Sequence, residues 1–366
     1  MSHVERSLHP FLFVLTSSLV LALPLSGQIR WKDCLEQKDE WYRGVEAIRI
    51  ADNVLFYQFA CGGWPKNIDM AQELTPPEKK EMRLDLTTEG PTIDNRATYI
   101  QLRYLAKVYN ATHIDRFKTS FLNGFDYLIK AQYANGGWPQ FYPLREGYYS
   151  HITFNDDAMA GVLNLLRDIG DDHSEFRFVE DHRKGQAQHA VAKGLECILK
   201  CQVTVSGTLT SWCAQHDEYS FQPAKARTYE LPSLSGMESV GIVRFLMRVE
   251  HPSKDIVQSV QSAIGWFSKS ELFGIRVVLQ KDSSAPEGLN RVVVPDSTAP
   301  VMWARFYQIG TNRPFFCSRD GIMRDSLSQI TIERRNHYVW LGSWPETLLE
   351  KEYPEWLKEN HLDSVI

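Results

Sequence analysis

Apolar positions recur at helical spacing through most of the chain. Within 41–58, Val45, Ile48, Ala51, Val54 and Leu55 share one side, which predicts a helix. Ala97, Ile100, Tyr104, Leu105 and Val108 repeat the pattern in a helix opened by Thr92-Ile93-Asp94-Asn95, and another is expected over 115–132. Phe154-Asn155-Asp156-Asp157 opens a helix running through Leu166; further helices are expected over 185–202, 234–248 and 252–267. Cys61-Gly62-Gly63-Trp64-Pro65 and Gly136-Gly137-Trp138-Pro139 stop two of these helices, and the polar run 75–90 reads as the most mobile loop.

Trp64, Trp138 and Trp212 stand at equal intervals, and each is entered from a helix and left through a loop to a new helix. That is an internal repeat, although the third copy lacks the Gly-Gly-Trp-Pro turn. Helix pairs that each expose one apolar face bury it best by stacking about a common axis. The expected fold is therefore mainly α, an α/α toroid (an incomplete α/α barrel) of repeated helix pairs. From Gly274 the texture changes: 275–279 and 291–294 are short β-rich runs that predict a hairpin with a long loop. One more helix near 299–307, an arginine-rich segment and a polar tail are expected to complete the chain, a C-terminal segment containing short β-strands.

Composition places the chain among ordinary globular proteins, with 43% hydrophobic and 23% charged residues. Arg6 precedes an apolar run over 11–23 and small residues at Ser26 and Gly27, which reads as a signal peptide over 1–27. The run is too short to cross a bilayer, so a secreted or periplasmic protein with no membrane contact after cleavage is expected. No linker-like stretch divides the remainder, which reads as a single catalytic domain over 28–366. A net charge of -5 argues against nucleic acid as the main partner. Six cysteines are too sparse for a disulfide scaffold; Cys197 and Cys201 could be helical neighbours, but buried free thiols are the simpler reading.

The chemistry concentrates in two places. Six arginines fall within 305–335 and alternate with aromatics such as Phe306, Tyr307, Phe315, Phe316, Tyr338 and Trp340. A solvated basic face is the bland alternative. Arginine where lysine would suffice for solubility instead points to bidentate recognition of carboxylates. Asp94 and Asp156 each stand before a helix, where the bland role is an N-cap worth about 1 kcal/mol. Read as equivalent places in consecutive repeats, they would face one rim, with Asn95 and Asn155 adding oxygen ligands for a hard cation such as calcium. A cation bridging protein and substrate carboxylates, with arginines and aromatics nearby, suits a polyanionic sugar.

Several stretches carry a resemblance. Gly62-Gly63-Trp64-Pro65-Lys66-Asn67, Thr92-Ile93-Asp94-Asn95-Arg96-Ala97-Thr98, the run from Lys130 through Gly137-Trp138-Pro139-Gln140 to Asn155-Asp156-Asp157-Ala158-Met159, Tyr229-Glu230-Leu231-Pro232-Ser233, and Arg305-Phe306-Tyr307 through Asn312-Arg313-Pro314 to Glu333-Arg334-Arg335-Asn336 are similar to those of polysaccharide lyase family 10 pectate lyases. The similarity runs over essentially the whole chain after the leader. It implies an α/α toroid enzyme that cleaves α-1,4-linked polygalacturonate, or low-ester pectin, by anti β-elimination to 4,5-unsaturated oligogalacturonides, and acts as a monomer. It implies Ca2+ held by Asp94 and Asp156. It also implies that Arg319 takes the C5 proton and that Lys66, Arg227, Arg305 and Arg334 bind substrate. An arginine base works against a side-chain pKa above about 12, so an alkaline optimum is expected.

Rival readings stay open at this point. A glycoside hydrolase on the same toroid would use two carboxylates flanking the bond, such as Asp94 with Asp156 or Asp157. A non-enzymatic pectin-binding protein would use the same arginines and aromatics only to bind. A terpene-cyclase-like toroid also carries tryptophan turns, but leaves the arginines and the leader unexplained.

Overall fold

The computed structural model describes residues 29–80 and 90–363. The leader expected over 1–27 and residues 81–89 of the polar loop lie outside the described residues, and residues 76–80 of that loop are helical. Seven helices build the body: α1 Val45–Tyr57, α2 Tyr99–Thr112, α3 Asp115–Ala131, α4 Ala158–Gly170, α5 Asp181–Cys201, α6 Glu238–Met247 and α7 Lys254–Lys269. The first starts later than the apolar pattern suggests, because Asp39–Arg43 forms a separate 3-10 turn.

The helices alternate between two layers. α2, α4 and α6 pack on one another in sequence as an inner row, while α1, α3, α5 and α7 pack on one another outside it. This is an α/α toroid, left open by the absence of a fourth inner helix among the described residues. Each outer helix leads into a tryptophan whose indole N–H donates back to that helix: Trp64 to the Val54 carbonyl (2.7 Å), Trp138 to Leu128 (2.8 Å) and Trp212 to Ile198 (2.8 Å). Buried indoles need such an acceptor, and the bond fixes where the chain turns inward. Trp303 does the same with the Phe267 carbonyl (2.8 Å), so it is a fourth copy of the turn.

Glutamines at the ends of the outer helices tie each outer helix to the next. Gln58 donates to the carbonyls of Gly62 and Ser120, Gln132 to Gly136 and Ala190, and Gln202 to Thr210 and Ser259. Gly62 and Gly136 have φ of +105° and +93°, and a Cβ there would lie 2.1 Å from a carbonyl oxygen of the next outer helix. Only glycine permits that approach.

The C-terminal segment departs from expectation in two places. Residues 299–307 do not form a helix: Trp303–Ala304 pairs antiparallel with Leu341–Gly342, and Phe306–Tyr307 pairs with Leu234–Ser235. Every side chain from Trp303 to Tyr307 is buried, and a short, continuously buried run cannot be told from helix by periodicity. The tail is also not merely polar. After α8 (Ile332–Asn336), a π-helical turn and α9 (Tyr353–Glu359) bury Leu348, Tyr353, Trp356 and Leu357. The predicted hairpin is present, as Ile275–Lys281 paired with Leu289–Pro295. One contiguous apolar cluster runs from Cys34 to Leu357, and all six cysteines are free thiols.

Candidate active site

The tryptophan turns deliver side chains to a common point by a repeated backbone rule. Beside each turn, a later residue donates its N–H to the tryptophan carbonyl: Thr92 to Trp64, Thr153 to Trp138 and Ser235 to Trp212. The residue after each donor then bonds across to the next repeat, Ile93 to the carbonyl of Gln140, Phe154 to Ala214 and Gly236 to Arg305. The acceptors all stand two places after a tryptophan. Lys66, Gln140, Ala214 and Arg305 are thus equivalent positions, and three of them send polar side chains into one acidic cluster.

Counted from the same donors, Asp94 matches Asn155, whereas Asn95, Asp156 and Glu238 share the next place. Backbone conformation supports this register: Ile93 and Phe154 share φ near -100°, Asn95 and Asp156 share left-handed φ of 49° and 48°, and Arg96 and Asp157 follow with positive φ. The expectation that Asp94 and Asp156 are equivalent is therefore corrected by one residue. Neither is an N-cap: the N-cap positions of α2 and α4 are Thr98 and Asp157, and neither makes a side-chain cap. Left-handed conformations cost about 1–2 kcal/mol for non-glycine residues. Their recurrence here is a mark of a built site rather than a relaxed turn.

The two aspartates meet through Asn155, whose amide N–H groups donate to Asp94 Oδ1 (3.1 Å) and Asp156 Oδ2 (2.8 Å). Gln140 donates to Asp94 Oδ2 (2.6 Å), and the Lys66 ammonium forms a short ion pair with the same oxygen. On the far side, Arg305 Nη2 donates to Asn155 Oδ1 and Asp156 Oδ1, each at 3.2 Å, and forms a short ion pair with fully buried Glu238. Burial pushes the Asp156 pKa up; Arg305 opposes this, while Glu238 and Asp94 add to it. Burial also works against the Arg305 charge, but Glu238, Tyr338 and Asp156 outweigh it and hold its pKa above the ordinary value. Asn95 is not part of the cluster and instead donates to Asn67.

Three more arginines, Arg227, Arg319 and Arg334, gather around the Tyr229 ring. Arg227 shares a cavity wall with Lys66, Gln140, Phe141, Tyr149 and Asn155. Its Nε donates to buried Glu230 (2.9 Å), which also accepts from the Tyr338 hydroxyl (2.8 Å). Arg334 is buried against the Tyr229 ring, 4.6 Å from its centroid, and is held bidentately by Glu333. Arg319 lies outermost, with 64% of its side chain exposed, and donates to the same Glu333 carboxylate at 3.0 Å. Bonding to Arg334 and then Arg319 pulls the Glu333 pKa down to about 2.

The pectic acid lyase family matches residues 58–349, which contain every one of these groups. The chain belongs to this family. A family 10 polysaccharide lyase from Cellvibrio cellulosa is 34% identical, with 93% of this chain and 98% of that one covered and a TM-score of 0.74. A point mutant of a Cellvibrio cellulosa family 10 polysaccharide lyase, in complex with trigalacturonic acid, gives 34% identity, 88% and 95% coverage and a TM-score of 0.73. No curated protein matches the chain.

For a family 10 polysaccharide lyase, the donor set suits a hard cation. Gln140 Oε1 is buried without a hydrogen-bond partner, close to the Asp156 carboxyl whose pKa burial, Glu238 and Asp94 raise. Asp94, Asp156 and amide oxygen from Gln140 and Asn155 offer only oxygen, the ligand type calcium takes. Gln140 and Glu238 were not among the residues singled out in the sequence. The signal for Gln140 was its place two residues after a tryptophan, shared with Lys66. For Glu238 the signal was absent, because it follows the degenerate third turn.

Proposed function

We propose that this polysaccharide lyase is a secreted, monomeric pectate lyase that cleaves α-1,4-linked polygalacturonate by calcium-assisted anti β-elimination. The observation that carries the reading is one cleft in which an all-oxygen acidic cluster adjoins guanidinium groups on aromatic faces. The bound trigalacturonic acid of the Cellvibrio cellulosa neighbour supports a galacturonate chain as substrate. Asp94 and Asp156 would hold the cation, with Gln140 and Asn155 as further oxygen donors. When bound, calcium would neutralise the uronate carboxylate beside the scissile bond and so make the C5 hydrogen more acidic.

The chain's own residues supply the remaining steps. A base takes the C5 proton, that electron pair becomes the C4–C5 double bond, and the C4–O bond breaks with its electrons leaving on the glycosidic oxygen, which then takes a proton. Arg319, the base that the family resemblance implies, stands at the exposed rim on Glu333. Arg227 lines the same cavity as Lys66, Gln140 and Asn155, and its placement favours it as the group that takes the proton, with Arg319 and Arg334 gripping the sugar acid farther out. Burial disfavours the charged form of Arg227, but Glu230 outweighs burial and holds its pKa up. Proton abstraction then relies on a small neutral fraction, and an alkaline optimum follows. Arg305, buried and paired with Glu238 and Asp156, would act mainly by holding the acidic cluster in place.

Turnover of polygalacturonate in calcium, in excess chelator and after calcium is restored tests the metal role: activity is expected to vanish and return. Undiminished turnover in chelator would remove calcium from the account. Methyl esterification deletes the charge that the arginines read, so each lost contact should cost on the order of 1–3 kcal/mol. Equal rates on highly esterified pectin would show that they serve another purpose.

A further inference from the structure

The 3-10 turn Tyr148–Ser150 carries two aromatic residues of the cleft wall. The strand Ile152–Thr153 that follows pairs antiparallel with Gln215–His216, with Ile152 opposite His216. Extending that register by one residue sets His151 across from Asp217, with Glu218 next in the chain. One ligating atom from each of these three side chains lies within 4.8 Å of the other two, and all three residues are half-buried. His151 Nδ1 is 3.0 Å from Glu218 Oε2, and the Ser150 hydroxyl donates to Glu218 Oε1 at 2.8 Å.

An ion pair between His151 and Glu218 is the bland account, and it leaves the second carboxylate oxygen of Asp217 uncommitted. Asp217 Oδ1 accepts from the N–H groups of Tyr219 and Ser220 and from the Ser220 hydroxyl, while Oδ2 has no hydrogen bond among the described residues. Among those residues, no lysine or arginine forms a salt bridge with either carboxylate. The frame is also rigid. Asn135 donates to the Glu218 carbonyl (2.6 Å) and Tyr133 to the Ser150 carbonyl (2.7 Å); the buried His216 ring bonds both Phe221 and Cys213.

One imidazole nitrogen with two carboxylate oxygens is the donor set of a borderline divalent ion. Zinc takes such ligands at about 2.0–2.2 Å and often leaves a fourth position to water, whereas calcium seeks six to eight oxygens. We propose that His151, Asp217 and Glu218 form a second cation site, of the zinc class and separate from the Asp94–Asp156 cluster, which ties the Tyr148–Tyr149 wall to the turn that follows His216. Its recognition depends on the ligand set alone, so it stands whether or not the chain acts on polygalacturonate.

The test is a zinc titration of the chelator-stripped full chain, by calorimetry and thermal melting, with calcium in excess to fill the oxygen-only cluster. One zinc per chain and a higher Tm are expected. His151→Ala and Glu218→Gln should each lower zinc affinity by at least ~10-fold and remove the rise in Tm. Melts in chelator report whether each variant is folded, and Glu218→Gln, which keeps the side-chain shape, decides the matter if His151→Ala is not. No zinc bound by the unmodified chain, an ion pair only, would overturn the proposal. So would zinc binding that both variants leave unchanged.

Discussion

Lys66 and Arg305 occupy the same place in different repeats, yet they meet different fates. Arg305 is enclosed by Glu238, Asp156 and Asn155, whereas the half-buried Lys66 reaches Asp94 from the open side of the cleft. A cation bound by Asp94 would compete with the Lys66 ammonium for the same carboxylate oxygen. Lys66→Met is therefore expected to tighten calcium binding about ten-fold in a calorimetric titration; unchanged or weaker binding would contradict the shared-oxygen picture. The arginines separate by kinetics. Arg227→Lys should lower kcat by several orders of magnitude at similar KM, and Arg319→Lys should mainly raise KM. The reverse pattern would return the base to Arg319. Lys66, Asp94 and Asp156 were legible in the sequence as chemistry, but their register was not: a one-residue offset between loops is set by left-handed backbone at Asn95 and Asp156, and no side-chain pattern reports that.

Among the elements, the helices were the most legible, because each buries one apolar stripe at regular spacing. The fourth tryptophan turn was hidden by the hairpin Ile275–Lys281 with Leu289–Pro295, inserted between α7 and Trp303. The run 303–307 misled in the other direction, being buried on both sides and too short for periodicity to decide. Polar ties between helices are also silent in sequence. Asp168 on α4 accepts from Arg103 on α2 (2.6 Å) and from Arg248 just beyond α6 (2.7 Å). Burial alone would raise its pKa, but the two guanidiniums outweigh it and hold it below the usual carboxylate value. Its stabilisation is thus present above the unfolded carboxylate pKa and lost as pH falls through the lower folded value. Asp168→Asn should cost about 1–3 kcal/mol near neutral pH in a denaturant melt and little in strong acid. A loss that persists undiminished into strong acid would show that packing, not charge, is at stake.

At the scale of the molecule, the toroid explains why residues distant in the chain share one cleft. Inner-helix starts supply acids, positions after the tryptophans supply Lys66, Gln140 and Arg305, and the strands stitched to Leu234–Ser235 and Leu341–Gly342 bring the arginine segment across. The repeat foretold the toroid, and the resemblance foretold the family. Which guanidinium faces the reacting carbon depends on loop paths such as that carrying Arg227, and those follow from packing rather than from local pattern. The proposed chemistry is elimination rather than hydrolysis. Its most direct test measures, in one polygalacturonate digest with calcium, unsaturated uronide by ultraviolet absorbance against new reducing ends. Elimination predicts one unsaturated end for each new reducing end. Reducing ends that accumulate without ultraviolet absorbance would mark a hydrolase and contradict the account.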